Sequence, residues 1–291
     1  MNLRDLEYFV KVAELKHFGQ AAKECHVSQP TLSGQIKKLE EEMGVMLFER
    51  SNRRVMLTEA GATILPYAKQ TLTSADSVLE VAETLNSPFA GRFHLAAIPT
   101  MGSYLFPLIV SGIKKSMPDL TLILSEEKTF DLLEKLKEGK LDAGILALPV
   151  NDDSLKEATL FTDEFFLATP KEHPLTTSDT INVEQLNNRQ LLLLEEGHCL
   201  RGQALQACHS VSLQEDNFMA TGLETLRQMV KAGTGITFMP KMAIHKEEAD
   251  IHYLPFHSES FSRTVGLVWR KTSLRTQIIN RLIQILKETQ D

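Results

Sequence analysis

The chain has 291 residues and a formal net charge of −7 at pH 7, and this length predicts two or more domains with separate cores. Because the overall charge is acidic, it does not favour nucleic-acid binding, which would need a local basic site. No N-terminal stretch is typical of a secretion signal and no apolar run reaches the roughly 18 residues of a membrane span, so we expect a cytoplasmic protein with no membrane partner.

Residues 1–57 have the pattern of a compact helical unit. Apolar residues at helical spacing predict three helices, over residues 3–15, 18–25 and 28–43. Ser28 is a suitable N-cap for the third helix, and Pro30 suits its first turn.

The third helix has two different faces. One face carries the apolar residues Leu32, Ile36, Leu39 and Met43, and the opposite face is small and polar at its start and basic at its centre. A DNA-recognition helix uses its first residues on base edges and its later cations on phosphates. An ordinary amphipathic helix with a solvated face would show the same pattern. The predicted DNA contacts of this helix are Ser28, Gln29, Pro30, Thr31, Ser33, Gly34, Gln35, Lys37 and Lys38.

The segment after these helices favours DNA binding over the solvated-face alternative. Residues 50–57 read as an arginine-rich turn followed by a strand, which is the pattern of a wing. Arg50, Arg53 and Arg54 are predicted to contact phosphate or a minor groove.

Four motifs of the N-terminal unit resemble the winged helix-turn-helix of LysR-type transcriptional regulators. They are Ser28-Gln29-Pro30-Thr31-Leu32-Ser33, Gln35-Ile36-Lys37-Lys38-Leu39-Glu40, Leu47-Phe48-Glu49-Arg50 and Leu57-Thr58-Glu59-Ala60-Gly61. The resemblance implies a double-stranded DNA operator as partner. Many members of the family carry Arg where this chain has Gly34, and the peroxide-sensing branch is similar to this chain there.

Residues 58–88 are predicted to form a linker helix that ends at Asn86-Ser87-Pro88. Thr58 is predicted to be its N-cap. A heptad seam follows, made of Leu65, Ala68, Leu72, Ala75, Leu79 and Ala82. The seam either joins two chains or packs against its own domain. The resemblance implies the first, a homodimer through the linker helix, and a two-fold dimer would meet a pseudo-palindromic operator.

From residue 89 onward, apolar strands alternate with helices, which predicts an α/β domain with a largely parallel sheet. Strands are predicted over residues 93–98, 120–124, 141–148, 164–168, 191–195, 236–240 and 263–269, and helices over 104–117, 130–139, 223–232 and 274–289. The layout resembles the two-subdomain, periplasmic-binding-protein-like regulatory domain of LysR-type regulators. The predicted subdomains are about 89–163 with 264–291, and about 164–263.

Thr100 and Thr129 each lie at a predicted helix start, where a threonine either caps the helix or offers a donor to a ligand.

Two of the three cysteines, Cys199 and Cys208, lie nine positions apart in one short segment. Positive charge from His198 and Arg201 beside Cys199 would favour the reactive thiolate. If the segment is helical, the two Cα atoms lie about 13 Å apart, whereas a disulfide needs roughly 4.4–6.8 Å, so a bond would require unwinding. The alternative is a pair of buried core thiols. In a cytosolic protein a disulfide is more often transient than structural.

The segment Gly197-His198-Cys199-Leu200-Arg201 is similar to that of the peroxide-sensing branch of the LysR family, and further matches cover nearly the whole chain. This resemblance implies that Cys199 is the peroxidatic cysteine and Cys208 the resolving one, with Thr100, Thr129 and His198 around hydrogen peroxide and Arg201 and Arg263 as cationic support. It also implies a homotetramer and contact with RNA polymerase. Gly202 stands where relatives often carry an acidic residue, which predicts a helix that unwinds more easily.

The sequence therefore predicts a DNA-binding, peroxide-sensing regulator rather than an enzyme, with no metal site and no cofactor. Two rival functions remain at this point. One is a LysR-type regulator gated by a small metabolite in the cleft between the subdomains, and the other is a thiol peroxidase.

Overall fold

The computed structural model describes residues 1–49, 55–207, 211, 214–245, 248–257 and 261–289, with the backbone alone for 77, 79–81, 83–86, 207 and 214–218. The chain folds into two units, Met1–Leu85 and Asn86–Asp291. Four residues singled out by the sequence, Arg50, Arg53, Arg54 and Cys208, lie outside the described residues.

The first unit contains the predicted helices: α1 (Leu3–Leu15), α2 (Phe18–Glu24), α3 (Gln29–Met43) and α4 (Glu59–Asn86). The Ser28 hydroxyl accepts a hydrogen bond from the Thr31 amide, as expected for the N-cap of α3. The predicted apolar face of α3 packs into the core of this unit. Phe48 closes that core with edge-to-face contacts to Phe9 and Phe18, each at 5.6 Å between ring centroids. The helix-turn-helix prediction is confirmed.

A short antiparallel bridge between Phe48 and Leu57 closes the loop where the wing was predicted. The buried Glu40 carboxylate of α3 holds the first arm of this loop, because its Oε1 accepts hydrogen bonds from the amides of Leu47 at 2.7 Å and Phe48 at 3.2 Å. Charge-assisted bonds of this kind are stronger than neutral ones, so α3 and the base of the loop are fixed to each other.

Helix α4 begins where the sequence predicted, since the Thr58 hydroxyl accepts a hydrogen bond from the Gly61 amide at 3.0 Å. A Cβ atom on Gly61 would lie 2.2 Å from the Leu47 carbonyl oxygen, so only glycine fits this close approach. The first part of the heptad seam, Leu65, Ala68 and Leu72, packs against the core of its own unit. The own-domain alternative therefore holds for this part of the seam. Tyr67 and Val78 of α4 are each 67% exposed.

The second unit alternates strands and helices. Its strands are β1 (Gly91–Ala97), β2 (Leu120–Glu126), β3 (Ala143–Leu148), β4 (Leu155–Pro170), β5 (Gln190–Leu194), β6 (Gln214–Ala220), β7 (Thr237–Pro240), β8 (Ile251–Pro255) and β9 (Ser262–Arg270). Its helices are α5 (Pro99–Ser116), α6 (Thr129–Lys137), α7 (Cys199–Ala207), α8 (Leu223–Lys231) and α9 (Thr276–Glu288). The sequence did not predict β6 or β8.

The main sheet is mixed, so the expectation of a largely parallel sheet was wrong. Its strand order is β2-β1-β3-β9-β4-β7, with β8 also paired to β4. Strands β1, β2 and β3 are parallel, whereas β9 and β4 run antiparallel to their neighbours. Strand β9, late in the sequence, pairs with β3 in the antiparallel direction, and no sequence pattern in β9 predicts that direction.

Strand β4 runs through both halves of the second unit. Its first part pairs with β9 and its last residues pair with β7 and β8. The sequence predicted a short strand over 164–168, because exposed residues interrupt the apolar pattern of the first part. The predicted subdomain boundaries at 163/164 and 263/264 fall inside β4 and β9, where Asp163 pairs in register with Arg263.

Two hydrophobic cores lie on either side of this crossing. The first core is built mainly from β1, β3, β9, α5 and α9, and the second from the end of β4 with β5, β7 and α8. Helix α9 contributes Ile278, Ile279 and Leu282 to the first core, so the end of the chain completes the half that begins with β1.

Candidate functional site

The predicted DNA-reading face of α3 is accessible. Seven of its predicted contact residues are exposed and two are half-buried; the exposed ones are Ser28, Gln29, Pro30, Thr31, Gly34, Lys37 and Lys38, and the half-buried ones Ser33 and Gln35. No atom comes within 4 Å of a Cβ built on Gly34, so the backbone is open there. Lys37 pairs with Glu41 at 3.6 Å, which leaves Lys38 as the less neutralised cation of the face.

Cys199 stands at the first residue of α7, where that helix touches both cores of the second unit. Its side chain is half-buried against the first core, whereas Leu200 and Ala204 of the same helix are buried in the second core. Cys199 and Cys25 are free thiols. Helix α7 is anchored in the second core and its Cys199 side chain packs on the first. A chemical change at the sulfur therefore affects the packing between the two cores.

A buried cation lies beside Cys199. Arg263 of β9 is 2% exposed and its Nε and Nη2 donate to Asp163 Oδ2 at 3.0 and 2.8 Å. Its Nη1 donates to Thr100 Oγ1 at 2.9 Å and its Nη2 to the Thr100 carbonyl at 3.2 Å. The guanidinium thus ties α5, β4 and β9 together at the crossing of the two halves.

Thr100 does not cap α5, so the capping alternative was wrong. The helix begins one residue earlier, at Pro99, with Ile98 as N-cap and no side-chain cap. The Thr100 hydroxyl is therefore directed to Arg263. Thr129 is likewise the first residue of α6, after the N-cap Lys128.

Two opposing effects set the pKa of the Cys199 thiol. Burial is the larger effect and raises the pKa of the thiol above its ordinary value, and the Arg263 charge partly offsets that rise. The sequence neighbours of Cys199 suggested supporting charge from His198 and Arg201, and the family resemblance implied Arg201 and Arg263. In the structure the charge that acts on the sulfur is that of Arg263, whereas Arg201 donates from its Nη1 to the Leu194 carbonyl at 3.3 Å.

His198 is nearly inaccessible, with a side chain that is 2% exposed. Burial, and then the charge of Lys128, hold the pKa of His198 below its ordinary value, while Glu195 raises it. The imidazole is therefore kept neutral near pH 7 and cannot supply the fixed positive charge that the sequence had suggested.

Three buried polar atoms near Cys199 have no hydrogen-bond partner within the described part of the chain: Thr129 Oγ1, His198 Nε2 and Gln203 Oε1. Gln203 follows Cys199 by four positions on α7, so both project from the same helix face. Buried polar groups are rarely left unpaired. Such a cluster beside a thiol is suited to a small polar molecule that both donates and accepts hydrogen bonds.

Sequence reasoning missed Asp163, Gln203, Lys128 and Glu195. Only Gln203 left a signal, its spacing of four from Cys199. Cys208 lies outside the described residues, so its distance from Cys199 is not part of this geometry.

Among the described residues, no group of His, Cys, Asp and Glu side chains could hold a metal ion. Within the same part of the chain, no helix has both the length and the apolar character needed to cross a bilayer.

Comparison with known protein families assigns both units. Residues 3–62 match the model of the bacterial regulatory helix-turn-helix proteins of the lysR family, and residues 86–291 match that of the LysR substrate binding domain. The chain belongs to the LysR family. Its fold, an N-terminal helix-turn-helix followed by a periplasmic-binding-protein-like α/β domain, is that of a LysR-type regulator.

Within the LysR family the chain is similar to regulators named for hydrogen peroxide. It is 43% identical to the hydrogen peroxide-inducible genes activator of Haemophilus influenzae over 94% of this chain and 92% of that protein. The solved full-length OxyR C199D of Pseudomonas aeruginosa is 38% identical, with a TM-score of 0.78 over 99% of this chain and 98% of that one. An OxyR mutant of Corynebacterium glutamicum with H2O2 bound is 34% identical, with a TM-score of 0.65 over 99% and 94% of the two chains.

Proposed function

We propose that this LysR-family protein is a DNA-binding transcriptional regulator that senses hydrogen peroxide through Cys199. The observation that carries the proposal is the cluster of unpaired buried polar atoms, on Thr129, His198 and Gln203, around a free thiol supported by Arg263. Hydrogen peroxide is small, donates two hydrogen bonds and accepts others, and so fits that cluster. The similarity to hydrogen peroxide-inducible genes activators supports the same conclusion.

The first chemical step is attack of the Cys199 thiolate on one peroxide oxygen. An S–O bond forms, the O–O bond breaks and hydroxide leaves, taking a proton to become water. The Arg263 charge, which acts on the sulfur, stabilises the negative charge that passes from sulfur to oxygen, and Thr100 holds that guanidinium in place. The sulfur is oxidised to a sulfenic acid and the peroxide is reduced.

The second step is attack of Cys208 on the sulfenic sulfur, which forms the disulfide and releases water. Helix α7 spans Cys199–Ala207, and a helix of this length separates the first and last Cα atoms by about 12 Å. A disulfide needs Cα atoms about 4.4–6.8 Å apart. The bond therefore requires α7 to unwind, and unwinding withdraws Leu200 and Ala204 from the second core.

The organisation that turns this event into regulation has three parts. Residues 1–57 form the winged DNA-binding domain, 58–88 the linker, and 89–291 the sensing domain, with subdomains at about 89–163 with 264–291 and about 164–263. The linker helix joins a homodimer, two dimers form a tetramer, and the disulfide shifts the contacts between dimers. The exposed face of α3 with Arg50, Arg53 and Arg54 binds the operator, and RNA polymerase is the further partner. The protein acts in the cytoplasm, without a cofactor and without catalytic turnover.

The test is peptide mapping of fully reduced protein after about one equivalent of hydrogen peroxide, together with operator footprinting of both forms. We expect a loss of two hydrogens on a Cys199–Cys208 peptide pair and a changed footprint. Cys199→Ser should bind the operator but no longer respond. Cys25→Ser, which removes the other described free thiol, should respond normally. A peroxide-dependent footprint in Cys199→Ser, or a wild-type protein that forms no such link, would overturn the proposal and favour a metabolite-gated regulator.

A further inference from the structure

The Lys128 side chain connects helix α6 of the first core to the turn that precedes Cys199. Lys128 is the N-cap of α6, whose Leu132 and Leu136 belong to the first core. Its Nζ donates to Glu195 Oε1 at 2.6 Å and to the Glu196 carbonyl at 3.3 Å. Both acceptors follow β5, whose last residue, Leu194, belongs to the second core. We call these two bonds the Lys128 bridge.

The bridge also fixes the turn that leads into α7. Gly197 has a φ of +91°, a backbone conformation that favours glycine, and a Cβ atom built there would lie 3.1 Å from Lys128 Cδ. The aliphatic part of Lys128 therefore covers this turn while its ammonium holds the two residues before it. His198 and Cys199 follow immediately, so their positions depend on the same contact.

We propose that Lys128 is a positioning residue for peroxide sensing, because its bridge to Glu195 and Glu196 holds the turn before Cys199 in the arrangement of the reduced protein. The proposal rests on the disulfide chemistry proposed above. A Cys199–Cys208 bond requires α7 to unwind from its first residue, and the Lys128 bridge secures the backbone just before that residue. The bridge therefore stabilises the dithiol form relative to the disulfide.

The effect of the bridge on the thiol–disulfide equilibrium is modest. Both side chains are 36% exposed, so solvent weakens their attraction and a single pair of this kind shifts an equilibrium about two- to fivefold. A tenfold shift corresponds to about 30 mV for a two-electron couple. Loss of the bridge should therefore make the Cys199–Cys208 reduction potential about 9 to 21 mV more negative, which favours the disulfide.

Two substitutions separate the geometry of the bridge from its charge. Lys128→Met removes both bonds of the bridge, and Glu195→Gln removes the negative charge that strengthens one of them, so both should shift the equilibrium toward the disulfide, Lys128→Met by more. They should move the pKa of His198 in opposite directions, however, because Lys128 lowers that pKa and Glu195 raises it. These two are the charges that act on the imidazole, one from α6 and one from its own segment. A merely structural loss of packing would not produce opposite shifts.

The experiment equilibrates the full-length protein with glutathione buffers, quenches with acid and alkylating agent, and measures the Cys199–Cys208 disulfide by mass spectrometry. The His198 titration is followed by NMR in the same variants. Lys128→Arg keeps the charge and a donor, and should restore wild-type behaviour in both measurements. Lys135→Met is the matched control, because Lys135 of α6 pairs with Glu127 within the first half of the unit.

The outcomes distinguish the two proposals. If wild-type protein forms no Cys199–Cys208 disulfide at any glutathione ratio, the proposed function fails and the role of the bridge fails with it. If the disulfide forms but Lys128→Met and Lys135→Met have equal potentials, the proposed function stands and the Lys128 bridge is refuted. A shift in Lys128→Met that Lys128→Arg reverses, with opposite His198 shifts in Lys128→Met and Glu195→Gln, supports the bridge.

Discussion

Asp163→Asn removes the negative partner of a guanidinium that water does not reach. The Arg263 and Asp163 side chains are 0% and 2% exposed, and Asp163 Oδ2 accepts two hydrogen bonds from Arg263. The amide has the size of the carboxylate and retains one acceptor oxygen. It lacks the charge, so the buried guanidinium is left without its counter-ion.

The expected cost follows from that burial. Removing one partner of a buried ion pair costs about 3–5 kcal/mol. Because Thr100 and the remaining amide oxygen still accept hydrogen bonds from Arg263, we expect the lower end, about 3 kcal/mol. Domains are stable by only about 5–15 kcal/mol, so this is a large part of the free energy of unfolding.

Urea denaturation under reducing conditions measures the change. The chain has one tryptophan, Trp269 on β9, so its fluorescence reports the unfolding of the second unit. With a slope near 3 kcal/mol per molar urea for a unit of this size, the midpoint should fall by about 1 M.

The matched control is the next residue of β4. Glu164 pairs with Lys241 at 2.7 Å, but the two side chains are 51% and 63% exposed. An exposed pair contributes at most about 1 kcal/mol, so Glu164→Gln should leave the midpoint nearly unchanged. Equal shifts in the two variants, or a loss below about 1 kcal/mol in Asp163→Asn, would refute the claim that Arg263 depends on Asp163.

Three further substitutions test local features. Thr58→Ala should destabilise the start of α4 by about 1 kcal/mol, seen as about fivefold faster hydrogen exchange of the Gly61 amide, and unchanged exchange would contradict the cap. Burial lowers the pKa of His198 in the folded protein. The neutral imidazole therefore contributes stability at pH values above the unfolded pKa of about 6.5, and this stability is lost as the pH falls from that value toward the lower folded pKa. In His198→Gln the urea midpoint should therefore change less between pH 7.5 and 5.5 than in the wild type, and an equal change in both proteins would count against this. Lys38→Gln should reduce the slope of log affinity against log salt by about 0.9, whereas an altered base preference with an unchanged slope would rule out a phosphate contact.

The sequence predicts the first unit well because its signals are local. Caps and apolar periods lie within a few residues of one another, as at Ser28 and Thr58, and the helices begin at these positions. The long α4 is also predictable, but the surface against which its heptad seam packs is not. Whether Leu65 and Leu72 face another chain or their own core depends on the angle at which α4 leaves the domain.

The second unit is less predictable because its contacts join distant residues. Arg263 and Asp163 are 100 positions apart, and Lys128 reaches Glu195 across 67. The start of β4 was missed because exposed residues break its apolar pattern, although β9 supplies a full set of backbone partners. The antiparallel direction of β9 is fixed by tertiary packing alone.

The electrostatic environment of Cys199 shows what such distant contacts change. Neighbours in sequence suggested that positive charge from His198 activates the sulfur, whereas burial keeps that imidazole neutral. Burial also raises the pKa of the thiol, and the charge that opposes this rise is that of Arg263. In the folded protein Asp163 is the counter-ion of Arg263 and opposes its effect on the sulfur. Asp163→Asn, although it destabilises the unit, should therefore lower the pKa of Cys199, because Arg263 then acts on the sulfur without a competing carboxylate. The pH dependence of Cys199 alkylation by iodoacetamide, measured well below the unfolding midpoint, would show a lower apparent pKa in this variant. An unchanged or higher pKa would refute the claim that the Arg263 charge acts on the sulfur.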